Sequence, residues 1–238
     1  AGMVDESMDT EYLKNEPQPW EFRTKPAWQR LLVMAGGVLF NFIFAIIMYI
    51  TLLAGWGESY ISNEGNCIYV NELAYDMGFR NGDQILMFDD YCPENFGMLQ
   101  ADLARQGVKK ATVLRDADTL NIYIDRNRIG EVLQSPGMFD LAREFVVQQV
   151  AEGSANMDAG LMEGDRIFSI EGEAVPYLQD AWKVLEKHKN ETVEAAISRN
   201  TDTLTTTLQV DSTGRIGVYL AAPEVTVKEY NIAQAIPA

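Results

Sequence analysis

The chain has 238 residues, enough for one or two domains. A formal net charge of −16 argues against nucleic acid, since a phosphate backbone needs clustered Lys and Arg; a solvated surface is the ordinary role of such acidity. Two cysteines, Cys67 and Cys92, are too few for a disulfide scaffold and stand in no CxxC or Cys/His metal spacing. An oxidising compartment would allow them to pair; two separate thiols are the other reading.

The chain opens on Ala1-Gly2, with no initiator Met and no signal-peptide n-region, and closes on Ile236-Pro237-Ala238. The expectation is a piece of a longer protein. Residues 31–57 then form an uncharged apolar run without proline, in which Asn41 is the one strongly polar side chain. A helix needs only about 20 residues to cross a bilayer, so the run predicts a transmembrane helix. Trp28 and Trp56 sit near its ends, where amphipathic rings favour the headgroup zone. Lys14, Arg23, Lys25 and Arg30 precede the run; after it no Lys or Arg occurs until Arg80. The positive-inside rule places residues 1–30 in the cytoplasm and everything after Gly57 on the far side, the periplasm of a diderm bacterium. Gly36, Gly37 and Asn41 fall on or near one helix face, where small residues admit another helix. Asn41 either bonds a neighbouring group or faces an intramembrane site on other helices.

Beyond the run, two stretches align. Gly78-Phe79-Arg80-Asn81-Gly82-Asp83-Gln84-Ile85 matches Gly160-Leu161-Met162-Glu163-Gly164-Asp165-Arg166-Ile167 at an offset of 82. Arg115 with Asp118-Thr119-Leu120 matches Arg199 with Asp202-Thr203-Leu204, and Arg128-Ile129-Gly130 matches Arg215-Ile216-Gly217. Landmarks kept in register predict a duplicated module. Each copy reads as an apolar strand (67–70; 145–150), a GxxxGD turn in which glycine permits positive φ, and a second strand (84–88; 166–170). A helix follows (94–106; 177–189), with apolar residues three and four apart, and then two strands (111–115 and 119–125; 192–199 and 203–210).

Ser154-Ala155, Ala159-Gly160-Leu161, Gly164-Asp165-Arg166-Ile167 and Ile170-Glu171-Gly172 resemble the core of bacterial, circularly permuted PDZ domains. Leu73-Ala74, Gly78-Phe79, Gly82-Asp83 and Ile85 carry the same likeness in the first copy. A helix followed by such a pair resembles the RseP-type site-2 proteases, membrane-embedded zinc metalloproteases that cleave transmembrane segments. Lys25-Pro26 with Gln29-Arg30-Leu31 resembles that family's basic lead-in to its second transmembrane helix. Gly37-Val38-Leu39-Phe40-Asn41-Phe42 resembles its G-P-x-x-N-F motif, with Val38 where proline is usual. Thr226-Val227-Lys228-Glu229-Tyr230 resembles the approach to its third helix, and residues 1–10 and 19–30 resemble the Bacteroidetes branch.

The resemblance implies an α+β chain: a lead-in over 1–30, a transmembrane helix over 31–57, tandem permuted PDZ domains over 58–128 and 129–222, and the approach to a further helix over 223–238. Each domain would be a β-rich sandwich with one main helix. It implies that Gly37, Asn41 and Phe42 lie near an intramembrane active site. The catalytic Zn2+ would be held by an HExxH helix and an LDG-type aspartate that this chain lacks; its one histidine, His188, reads as a surface residue. PDZ kinship further implies a peptide groove between a strand at Ile129, Gly130, Glu131 and Val132 and a helix wall carrying Leu178, Ala181, Trp182 and Leu185. Those apolar residues could equally fill the domain core. The implied partners are the membrane and a membrane-anchored protein substrate or its C-terminal tail. A non-catalytic membrane-anchored tandem-PDZ adapter is the alternative. An HtrA-type serine protease is set aside, because too few residues separate Gly57 from the first copy to hold its protease domain.

Overall fold

The computed structural model describes residues 22–105 and 107–236, so most of the expected lead-in and the last residue of the first expected helix, Gln106, lie outside the described residues. The chain divides into two compact units, Ser59–Val227 and the segments on either side of it.

The apolar run is helix α1 (Ala27–Trp56). It starts four residues before Leu31 because Pro26, at the N-cap, lacks the N–H a longer helix would need, and nothing in Ala27-Trp28-Gln29-Arg30 breaks a helix. Gly57, at φ 71°, ends it, its N–H reaching Leu53 O at 2.9 Å. Thirty residues make a rod of about 45 Å, longer than a hydrocarbon core of ~30 Å. Leu53 is its only buried residue, so its apolar side chains face outward on every side, as suits lipid rather than a protein core.

Strand β1 (Glu58–Tyr60) follows. The first core then gathers β2 (Ile68–Val70), α2 (Glu72–Asp76), β3 (Gln84–Phe88), α3 (Leu99–Arg105), β4 (Lys110–Arg115), β5 (Asp118–Tyr123), α4 (Ile129–Gln134) and β6 (Phe139–Leu141). β3, β4 and β5 form an antiparallel sheet, and β2 pairs with β6, Ile68 opposite Leu141. Alternation buries Ala111 and Val113 of β4, and a register shift between Ile85 and Met87 brings Phe88 of β3 inward with Ile85, beside Phe79, Leu99 and Leu103. The first helix is shorter than its apolar spacing predicts. Asn95 takes the Gly97 N–H on its side chain at 2.9 Å, tightening residues 96–98 into a 3-10 turn before α3 begins.

The second core holds β7 (Phe145–Val150), β8 (Arg166–Ile170), β9 (Glu173–Ala174), α5 (Leu178–Lys187), β10 (Thr192–Arg199), β11 (Asp202–Gln209) and β12 (Val218–Leu220). Its sheet runs β11-β10-β8-β7-β12, with β9 beside β8. α5 lays Leu178, Ala181, Val184 and Leu185 onto this sheet, three and four residues apart. β13 (Thr226–Lys228) pairs with β1, and α6 (Ile232–Ala235) closes the described chain under an Asn231–Gln234 capping box. Within their own unit α6 packs against α1, and the Tyr230 hydroxyl donates to Glu58 at 2.8 Å.

Candidate functional site

Each GxxxGD turn is clamped by an arginine from the strand after the helix. Asp83 and Asp165 are fully buried. Asp83 accepts the Arg80 N–H at 2.9 Å and two guanidinium bonds from Arg115, at 2.6 and 2.7 Å. Asp165 accepts the Met162 N–H at 2.7 Å and two bonds from Arg199, at 2.8 and 2.7 Å. Each arginine also donates to the first glycine's carbonyl, Gly78 or Gly160. The Arg199 guanidinium, joined by the Met162 N–H, holds the Asp165 carboxyl below its ordinary value against the opposing effect of burial. These paired carboxylate–guanidinium forks tie turn to sheet, with both oxygens of each carboxylate bonded inside the fold.

The expected groove residues separate. Leu178, Ala181 and Leu185 are core residues of the second cluster. Trp182 is half-buried, with the Arg215 guanidinium 4.7 Å above its ring. Ile129, Gly130, Glu131 and Val132 form no strand; they are the first turn of α4, and Val132 is fully buried in the first core. The helix has a local cause. The Asp125 side chain takes the Asn127 N–H at 2.9 Å, starting a 3-10 turn that runs into α4, and Pro136-Gly137 stops the helix. Val132, Met138 and Leu141 all belong to the first cluster, so that core extends past the boundary expected at residue 128. The strand that stands in the second module beside β7 is β12, Val218 opposite Val150 and Leu220 opposite Val147. Its sequence signal was present: Arg215-Ile216-Gly217 runs straight into alternating Val218, Tyr219 and Leu220.

Sequence reasoning missed the contact between the two modules. The Tyr69 hydroxyl on β2 donates to Asp180 Oδ1 at 2.5 Å and accepts from Lys183 Nζ at 2.6 Å. Lys183 Nζ lies 5.0 Å from the Tyr69 ring centre, and Tyr177 meets that ring edge-on at 6.0 Å. Gln179 Nε2 donates to Leu141 O at 2.7 Å and Asp140 Oδ2 at 3.1 Å; Leu178 N–H donates to Arg143 O at 2.7 Å. The start of α5 is thus fastened to β2, β6 and the connecting segment. Burial, then the bond to Asp180, raises the Tyr69 phenol above its usual value, and the bond from Lys183 to Tyr69 raises that ammonium in turn. No local pattern in the sequence reports a pairing between residues 69 and 180.

On α1, Gly37, Asn41 and Phe42 are exposed, and a side chain placed at Gly37 would meet nothing within 4 Å. Gly37 and Asn41, four residues apart, share one face; Phe42 is a further step round. Both cysteines are free, Cys92 exposed and Cys67 half-buried, with burial and then Asp83 raising the Cys67 thiol.

The described residues define a protein with one membrane-length apolar helix and an α+β region built on two cores. The chain belongs to peptidase family M50, whose match runs over residues 2–232. A Borreliella burgdorferi protein bearing the name zinc metalloprotease is 27% identical over 215 residues, covering 88% of this chain and 48% of that protein. Metalloprotease MmpA of Caulobacter vibrioides is 29% identical over 112 residues, covering 44% of this chain and 28% of that protein. The chain therefore spans about half or less of the length of these curated relatives. Among solved structures, the PDZ domain of an SdrC-like protein from Listeria monocytogenes matches 32% of the chain at 23% identity, with a TM-score of 0.29. The relatives' names imply zinc. Among the described residues no three His, Cys, Asp or Glu side chains converge on a metal position, and His188 Nδ1 lies 2.8 Å from Glu191 Oε2. These residues do not fit a catalytic zinc, which needs about three protein ligands and an open position.

Proposed function

We propose that this segment is the substrate-handling portion of a membrane-embedded zinc metalloprotease that cleaves membrane-anchored proteins within the bilayer, an anti-sigma factor being the kind of substrate intended. The observation that carries the reading is the family match, which takes in the apolar helix and both modules together. In this reading α1 spans a bacterial inner membrane, and the face bearing Gly37 and Asn41, with Phe42 beside it, lies near the active site. Residues before the helix are cytoplasmic, and the two modules are periplasmic tandem permuted PDZ domains that screen the substrate or grip its tail. The matching Asp–Arg forks at Asp83 and Asp165 support a duplicated module. Zinc and its ligands, an HExxH helix and an LDG-type aspartate, would belong to other parts of the protein.

The test is cleavage of a membrane-anchored reporter by the product of the whole gene. Cleavage stopped by zinc chelation and impaired by Asn41→Ala is expected, with Cys92 labelled in intact spheroplasts by a membrane-impermeant maleimide. A gene without an HExxH motif refutes the protease reading, and Cys92 labelled only after lysis refutes the orientation.

A further inference from the structure

The two modules share a set of main-chain bonds, and the largest difference in length between them falls just before one of the strands those bonds identify. From the GxxxGD turn through the helix they run in register at an offset of 82: Asp83 with Asp165, buried Phe88 with Ile170, buried Leu99 with Ala181, buried Leu103 with Leu185. Gln100 therefore occupies the place of Trp182. The closing strands also correspond. Ile68 donates to Asp83 O and accepts from Gly82 N, as Val147 does with Asp165 O and Gly164 N. Their strand partners are Leu141 on β6 and Leu220 on β12. Between the Arg-Ile-Gly landmark and these leucines the modules part. Ten residues lie between Gly130 and Leu141 and two between Gly217 and Leu220, so the first module carries eight more.

Those residues make most of α4 and the turn after it, and they fill the space between α3 and β6. Gln100 donates to Val132 O and Ser135 O, both at 2.7 Å, and accepts the Met138 N–H at 3.0 Å. Asn71, at the end of β2, donates from its side chain to Ser135 Oγ at 2.7 Å. Val132 is fully buried. The insert is thus bonded to the helix on one side and tied to β2 on the other, with an aliphatic side chain driven into the core. The second module has no counterpart to it. There Trp182 is half-buried under Arg215, and β12 is the end strand of its sheet. Gly217 O and Ala221 N are bonded to Ala151 and Val146, so the alternation of an antiparallel ladder turns the main-chain groups of Val218 and Leu220 away from β7. An edge strand with free N–H and C=O groups is a template for an added strand.

We infer that the inserted helix is a built-in occupant of the first module's cleft, and that an extended peptide is taken up along β12 of the second module alone. This rests on the reading of the modules as PDZ-like peptide binders. The insert itself shows what such a cleft holds: buried apolar side chains, Val132 and Met138, with carbonyls received by a side chain of the helix.

The experiment uses the full chain in detergent micelles. An immobilised library of short peptides with free carboxyl ends is screened, and the tightest binder is followed by amide hydrogen exchange and by stoichiometry. One peptide per chain is expected, protecting residues 218–220 and leaving 138–141 unchanged. Val218→Pro, which removes an outward N–H without touching the β7 ladder, should weaken binding about tenfold or more. Deleting residues 131–138 should open a second site. Protection at 138–141 in the wild type, two peptides on the wild type, or unchanged binding by Val218→Pro would overturn the inference and leave the peptide-binding reading standing. A folded deletion variant with no second site would do the same. If that variant does not fold, the wild-type exchange pattern decides. If no form of the chain takes any peptide, inference and reading fall together.

Discussion

Gly82 and Gly164 hold the same position in the two GxxxGD turns, at φ +90° and +86°, and differ in what a side chain would meet. At Gly164 an added Cβ finds nothing within 4 Å; at Gly82 it lies 2.4 Å from the Tyr177 hydroxyl oxygen. Alanine at either site suffers backbone strain of about 1–3 kcal/mol, offset by about 0.4–1 kcal/mol through the stiffer unfolded chain. The net loss from that cause is the same in both. Gly82→Ala must also push the phenol back by about 1 Å to reach ordinary contact, which disturbs the Tyr69–Tyr177 edge contact and adds about 1 kcal/mol. Urea unfolding of the micellar chain, followed by circular dichroism, gives the two losses. In a Tyr177→Phe background the extra loss should vanish, because the ring carbon behind the hydroxyl is already at an ordinary 3.6 Å. Equal losses for the two alanines in the wild type, or an excess that survives Tyr177→Phe, would refute the packing argument.

Tyr69→Phe removes both bonds to α5 and should cost about 1–3 kcal/mol. The folded chain keeps the Tyr69 proton to higher pH than the unfolded chain does, so this contribution is whole below the ordinary value of 10.0 and fades as pH rises past it. Urea midpoints taken on either side of that pH should converge for wild type and variant at the alkaline end; a gap that stays constant contradicts the assignment. Asp165 works in the other direction. Its folded carboxyl titrates below 3.8, so its contribution is present above that value and is lost as pH falls through the lowered one. Asp165→Asn should cost about 1–3 kcal/mol near neutrality and flatten the acid limb of the stability profile; an unchanged acid limb in denaturation by falling pH would count against it.

Much of the fold was legible where a local pattern and a buried face agree. The strands at 84–88, 166–170 and 192–199 coincide with β3, β8 and β10, because turn residues bracket each one; only β10 buries strictly alternate residues, while β3 and β8 bury residues three apart across an irregular register. The long helix was legible because an uncharged apolar run continues over many turns without proline. The candidate site was legible in part. The expected helix wall lies on α5, whereas the residues expected to form the opposing strand, Ile129–Val132, lie in α4, since the Arg-Ile-Gly landmark occurs twice and the insertion follows only the first copy. Val132 and Gln134 mark a helix once Asp125 and Pro136 are read as its start and stop; a strand reading carried over from kin cannot see that. The Tyr69–Asp180–Lys183 cluster joins residues more than a hundred positions apart, a separation at which sequence periodicity is silent.

α5 belongs to two structures at once. Its inner face is core for the module that carries it, while Gln179, Asp180 and Lys183 grip strands of the module before it. No displacement of that helix is therefore private: whatever widens or narrows the space beside Trp182 must either break those grips or drag the neighbouring strands along. The helix beside the edge strand of one module is thereby anchored by strands of the other.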